Sequence, residues 1–144
     1  MLKVLSIGLP VMLLCLAIQT VATGVSVQYF LRRITVDALH LKTMGNIRLL
    51  MSVLLILMLG NLLQMSIWAV LFLRLGEFTE FYEAVYHSAV NYASLGYGDI
   101  VMSKTWKLLG PLEAVNGVLM CGMSAGVLMG ILQAQIKQAL ARVQ

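Results

Sequence analysis

The residues with the clearest chemical potential are Ser94-Leu95-Gly96-Tyr97-Gly98-Asp99. Two glycines alternate with larger side chains. Glycine reaches positive φ without a Cβ penalty. Alternation of such angles turns successive backbone carbonyls toward one axis. A column of carbonyl oxygens can replace the hydration shell of a bare cation. The five residues 94–98, extended at about 3.3 Å each, reach roughly 16 Å, room for several cation positions in a row. A bare glycine turn is the alternative reading of the same letters, so the flanking elements decide.

Those elements are apolar. Of 144 residues, 60% are hydrophobic and only 11% charged, and the mean hydropathy is +0.92. Soluble domains carry about 25% charged residues, so this chain lacks the polar surface to cover a water-facing globule. It reads as an all-α membrane protein. Three segments have the roughly 20 apolar residues that a span needs: about 4–30, 49–73 and 108–132. Residues 79–93 read as an amphipathic helix too short to span. A short helix plus an extended stretch between two spans is the pattern of a re-entrant loop, tolerated at membrane depth where protein buries it or water reaches it.

Set in that frame, the 94–99 motif resembles the Thr-Val-Gly-Tyr-Gly-Asp signature of the potassium channel pore-domain family, as in small bacterial channels of this kind. The resemblance covers about two thirds of the chain, from the second span through the third. It implies a re-entrant pore helix, a filter that holds K+ at Ser94, Leu95, Gly96 and Tyr97, with Gly98 completing it, and an acidic outer mouth at Asp99. By the same resemblance Tyr97 would point away from the axis as a brace, Leu95 would pack behind the filter, and Ser94 would add a hydroxyl at its inner end. It divides the chain into 1–47, an extra N-terminal span with a basic loop, and 48–144, the pore domain. The departures are Met102 where the family often has proline, and Asn91-Tyr92-Ala93 where it usually has threonines. One loop cannot surround an ion and the chain has no internal repeat, so four copies are expected to form a homotetrameric pore. The first span is expected outside the pore helices, against the second.

Other polar residues are read around that site. Glu113 lies inside the third span, where a carboxylate is costly and faces protein or water. We expect it to brace the back of the filter through Asn91 or Tyr92, or through an adjacent subunit. Glu77, Glu80 and Glu83 share the outer segment with Asp99 and either concentrate cations or serve an ordinary solvated loop. Asn61 and Gln64 lie one turn apart and are expected to hydrogen-bond between helices. Gln19 and Gln28 are weakly polar interruptions of the first span. Gly122, Gly126 and Gly130 repeat every four residues with Gly117 and Ser124 nearby. Such ridges pack helices closely; the functional reading is an inner-helix hinge or gate at Gly117, Gly122 or Gly126. His87 is read as a pore-helix residue and His40 as a loop residue.

Charge sets the orientation. Arg32, Arg33, Lys42, Arg48, Lys137 and Arg142 fall on one side of three spans, with Asp37; Lys3, Arg74, Lys104 and Lys107 fall on the other. The positive-inside rule then places the N-terminus outside, the C-terminus in the cytoplasm and the re-entrant loop on the outer face of the cell membrane. Lys3 before an apolar run loosely resembles a signal peptide, but the run is too long and lacks a cleavage pattern; a retained span is expected.

The net charge of +4 is scattered without interleaved aromatics, so no nucleic-acid partner is expected. Cys15 and Cys121 are read as buried small hydrophobes. No cofactor other than filter K+ is expected, and no enzyme, since no nucleophile–base pair or metal cluster is legible. No span carries the regular arginines of a voltage sensor, and no ligand-binding domain is expected after Gln144. Membrane lipid is the expected surround, with a further gating partner left open. Two competing readings are a weakly selective cation channel and a non-conducting membrane assembly protein.

Overall fold

The computed structural model describes residues 1–36 and 43–141. Asp37, His40, Lys42 and Arg142, used above for charge and motif reading, lie outside them. Four helices follow in order: α1 Leu2–Val36, α2 Thr43–Arg74, α3 Phe81–Tyr92 and α4 Leu109–Ala141. Three are long and apolar enough to cross a membrane. At 1.5 Å rise per residue, the 35, 32 and 33 residues of α1, α2 and α4 reach about 48–52 Å. That exceeds the roughly 30 Å hydrocarbon layer, so each helix tilts or extends beyond it. The 12 residues of α3 reach about 18 Å, too short to span.

α1 and α2 outrun the apolar segments read from the sequence at both ends, and α4 does so at its C-terminal end. The helices continue past those apolar segments, through Arg32 and Arg33 in α1 and Lys137 in α4. Pro111 falls in the first turn of α4, where a missing N–H costs nothing.

α1 packs against both α2 and α4, and α3 packs between α2 and α4. Small residues permit the close approaches. A Cβ on Gly8 would meet Leu112 at 2.9 Å and Leu109 at 3.1 Å, and one on Gly60 would meet Ala22 at 3.3 Å. Two apolar cores result. The first joins Val4, Cys15, Trp68, Phe72, Phe78 and Leu109 at the end of the bundle that holds α3; the second joins Phe30, Leu49, Val53, Leu57 and Ile131 at the other end. Between them, in the register of each long helix, sit the buried polar residues Gln19, Gln64 and Ser124.

Outward faces stay apolar and exposed, as at Leu13, Leu55 and Leu119, which suits a lipid surround. The ridge in α4 is used differently from simple intrachain packing. A Cβ added at Gly122, Gly126 or Gly130 would meet no other part of the chain within 4 Å. α4 runs unbroken through all of them.

Candidate functional site

α3 forms because one side of it is apolar or satisfiable. Ala84, His87, Ser88, Val90 and Tyr92 are its buried residues. Its end is defined by the backbone. Ser94 N–H donates to Asn91 O at 2.8 Å and Leu95 N–H to Val90 O at 2.9 Å. These are the paired bonds of a Schellman terminus, whose turning residue adopts the left-handed conformation and is usually glycine. Here it is Ser94, at φ 56°, which for an L-residue costs roughly 1–2 kcal/mol.

Positive φ then recurs at Gly96 (60°) and Gly98 (73°). The left-handed positions therefore alternate along 94, 96 and 98, the pattern that the two glycines permit. Leu95 and Tyr97 are 55% and 66% exposed in the single chain. Behind the stretch lies a cavity of about 170 Å³ lined by His87, Asn91, Gly96, Gly98, Ile100 and Gly110, among others.

Glu113 is fully buried. Its carboxylate accepts from the Ser88 hydroxyl, and from Asn91 Nδ2 at 3.4 Å. The Ser88 hydroxyl also reaches the Met65 carbonyl at 2.8 Å. The structure thus brings Glu113 to Asn91, but not to Tyr92. The Tyr92 hydroxyl instead faces Gln64 Oε1 at 3.0 Å and Asn61 Oδ1 at 3.2 Å.

Asn91 Nδ2 lies 2.9 Å from His87 Nε2. Since that amide nitrogen donates, the imidazole accepts there and carries its proton on the other nitrogen. His87 packs against Phe72 and Phe78, with ring centroids 5.6 and 5.1 Å away. Burial in that aromatic setting lowers its pKa and keeps it neutral at pH 7.

At the open end of the stretch, Tyr86 donates to Asp99 Oδ2 at 2.7 Å. That bond holds the Asp99 carboxyl below its ordinary range and pushes the Tyr86 phenol up. Glu77 accepts from Ser103 N–H at 2.6 Å and from Ser103 Oγ at 2.7 Å, so it pins the loop before α4. Glu80 is the N-cap residue of α3, without a side-chain cap bond, and Glu83 lies in its first turn. Both are exposed.

Gly117 sits against α3. A Cβ there would come within 2.9 Å of Tyr92 Cα and closer still to its carbonyl. Its bareness is required by that contact. Gly122 and Gly126, the other candidate hinge positions, are open on the chain's own side. Cys15 is buried, whereas Cys121 is exposed in the single chain, contrary to the expectation for it.

Sequence reasoning missed three participants. Ser88 had no distinguishing mark within α3. Ser124 reads in the sequence only as a small residue. Gln19 carried a signal, an amide in mid-span, but its partners lie 45 and 105 positions away. Among the described residues no cluster of His, Cys, Asp and Glu could hold a metal ion; a cation site in 94–98 would be made of backbone oxygens and the Ser94 hydroxyl.

A family model described as an ion channel matches residues 55–134. The chain belongs to the ion channel family. The match begins within α2, covers α3 and the 94–99 stretch, and ends within α4. In this channel protein α1 therefore lies outside the matched unit, packed on its surface. With three apolar helices, the channel is a multi-pass membrane protein. Comparison with curated proteins and comparison with solved structures each find no match.

Proposed function

We propose that this channel is potassium-selective, with residues 94–98 as its filter in a homotetramer. The observation that carries the reading is the alternation of left-handed backbone at Ser94, Gly96 and Gly98, directly after the C-terminus of a non-spanning helix. Backbone of that alternation can aim consecutive carbonyls at one axis, where they substitute for ion hydration. The C-terminal end of α3 adds the negative end of its dipole, with no basic residue in its last turn. The motif Gly96-Tyr97-Gly98-Asp99 and its resemblance to potassium filters select K+ among cations.

Four copies supply the rings. The exposed faces of Leu95 and Tyr97 become interfaces with neighbouring copies. Asp99, kept ionised by Tyr86, forms the acidic mouth. Glu113 and Asn91 brace the filter from behind. Gly122 and Gly126 provide the flexible, small-residue surface of the inner helix. The filter end faces outward, with the N-terminus outside and the C-terminus in the cytoplasm of a cell membrane.

Bi-ionic reversal potentials test the selectivity. A K+-over-Na+ permeability ratio above about tenfold, about 1.4 kcal/mol of discrimination, supports the proposal. A ratio near one would make the protein a weakly selective cation channel.

A further inference from the structure

The buried amides between the two apolar cores form one directed chain of hydrogen bonds. Gln19 Nε2 of α1 donates to Ser124 Oγ of α4 at 2.8 Å, and more weakly to Met120 O at 3.5 Å. Gln19 Oε1 accepts from Gln64 Nε2 of α2 at 2.8 Å. Gln64 Oε1 accepts from the Tyr92 hydroxyl of α3 at 3.0 Å. Four helices meet through four side chains, all of them buried.

The alignment is specific. In an amide, the oxygen only accepts and the nitrogen only donates. Ser124 Oγ donates to Met120 O at 3.0 Å, so it receives rather than gives at Gln19. That leaves Gln19 Nε2 the donor and its Oε1 free to receive Gln64. Gln64 in turn presents its oxygen to Tyr92. Reversing any one amide would set like groups against each other. Gly60 makes the approach of α1 to α2 possible at this level, since a Cβ there would meet Ala22 at 3.3 Å and Gln19 Oε1 at 3.7 Å.

Tyr92 is the last residue of α3. Its carbonyl lies against Gly117 of α4, and two residues later Ser94 makes the left-handed turn into the filter stretch. Rotation or withdrawal of the Tyr92 ring therefore acts on the backbone that begins that stretch. α1 lies outside the matched channel unit, yet its Gln19 is the junction between α4 and the Gln64–Tyr92 pair.

We propose that Gln19 is a positioning residue for the filter: through Gln64 it orients Tyr92, and through Ser124 it ties that orientation to the inner helix. The extra helix thereby couples inner-helix position to ion discrimination. This rests on the filter reading given above for residues 94–98. Loss of the Ser124 bond when α4 moves frees the Gln19 amide, then Gln64, and shifts the Tyr92 hydroxyl from Gln64 to its other acceptor, Asn61 Oδ1 at 3.2 Å.

The test uses two readouts on the full chain in membranes. The first is the ¹⁹F spectrum of protein labelled with 3-fluorotyrosine, with the Tyr92 line assigned by its loss in Tyr92→Phe. Gln19→Leu should move that line, and Gln64→Leu should move it further. The second is the K+/Rb+ permeability ratio. Gln19→Leu and Tyr92→Phe should each change it at least threefold, and the double variant should change it no more than the larger single effect.

A helix–helix packing role alone would lower thermal stability and leave the ratio intact. An unmoved Tyr92 line overturns the coupling whether or not ions flow. A moved line with an unchanged ratio in a conducting protein overturns the positioning role. Tyr92→Phe removes one hydroxyl without altering shape, so it reads the relay even where Gln19→Leu disrupts assembly. Absence of flux in the unmodified protein, with the line still moved, would count against the channel reading and not against the relay.

Discussion

Gly117 of α4 presses against the backbone of Tyr92 at the end of α3, so closely that a Cβ would come within 2.9 Å of the Tyr92 Cα. Backbone cannot swing aside as a side chain can. The α3 terminus, and with it the start of residues 94–98, is seated on this bare patch of α4.

Gly117→Ala should therefore destabilise the fold by about 1–3 kcal/mol, the usual range for overpacking. Gly122→Ala meets nothing within 4 Å in its own chain and removes a helix-interior glycine, so it should be neutral or stabilising by up to about 1 kcal/mol. Thermal unfolding in detergent compares the two. Equal melting temperatures would contradict the seating of α3 on Gly117.

Glu113 satisfies donors from two positions on α3, Ser88 and Asn91. Glu113→Ala removes their shared buried acceptor; Ser88 keeps the Met65 carbonyl and Asn91 keeps His87, so the expected loss is about 1–3 kcal/mol in all. Glu113→Gln keeps one acceptor oxygen but adds an amide donor among donors, so an intermediate loss is expected. Both should also reduce K+ selectivity, read by reversal potential. An unchanged conductance and selectivity in Glu113→Gln would remove the bracing role.

Asp99 depends on Tyr86 for its lowered pKa. A lowered carboxylate pKa means that the charge persists as pH falls through the ordinary range near 4. Acid block of cation current should accordingly have its midpoint below that value. Tyr86→Phe removes the bond, and the midpoint should rise toward about 4. Single-channel conductance measured against external pH reports the shift, and an unmoved midpoint would dissociate Asp99 from the mouth.

Ser94 carries both a strained turn and a hydroxyl. Ser94→Gly relieves the strain and should raise stability by about 1 kcal/mol. If the hydroxyl binds the innermost ion, the same change should weaken barium block. Separate movement of melting temperature and block would resolve the two roles.

Much of this arrangement was legible in the residues, for identifiable reasons. Apolar length marks α1, α2 and α4, because each must satisfy its backbone inside lipid. The alternating glycines mark 94–98, because few residues adopt positive φ. Helix ends were less legible: hydropathy stops at the membrane surface, whereas hydrogen bonding carries α4 to Ala141. Glu113 was conspicuous as a buried acid, and Asn91 was nameable as its partner. Its other partner, Ser88, was not, since a serine in a short helix has many uses. Gln19 was visible as an amide within an apolar run, but its role arises from distances across the bundle, and no spacing within α1 encodes them.

We propose above all that residues 94–98 conduct potassium. The most direct measurement is K+ flux in proteoliposomes with barium as blocker, compared with Gly96→Ala. Gly96 lies at φ 60°, which an alanine side chain strains. We expect barium-sensitive K+ flux in the unmodified protein and at least a tenfold loss in the variant. No flux from the unmodified protein across tested pH and lipid composition, or equal flux from Gly96→Ala, would contradict it.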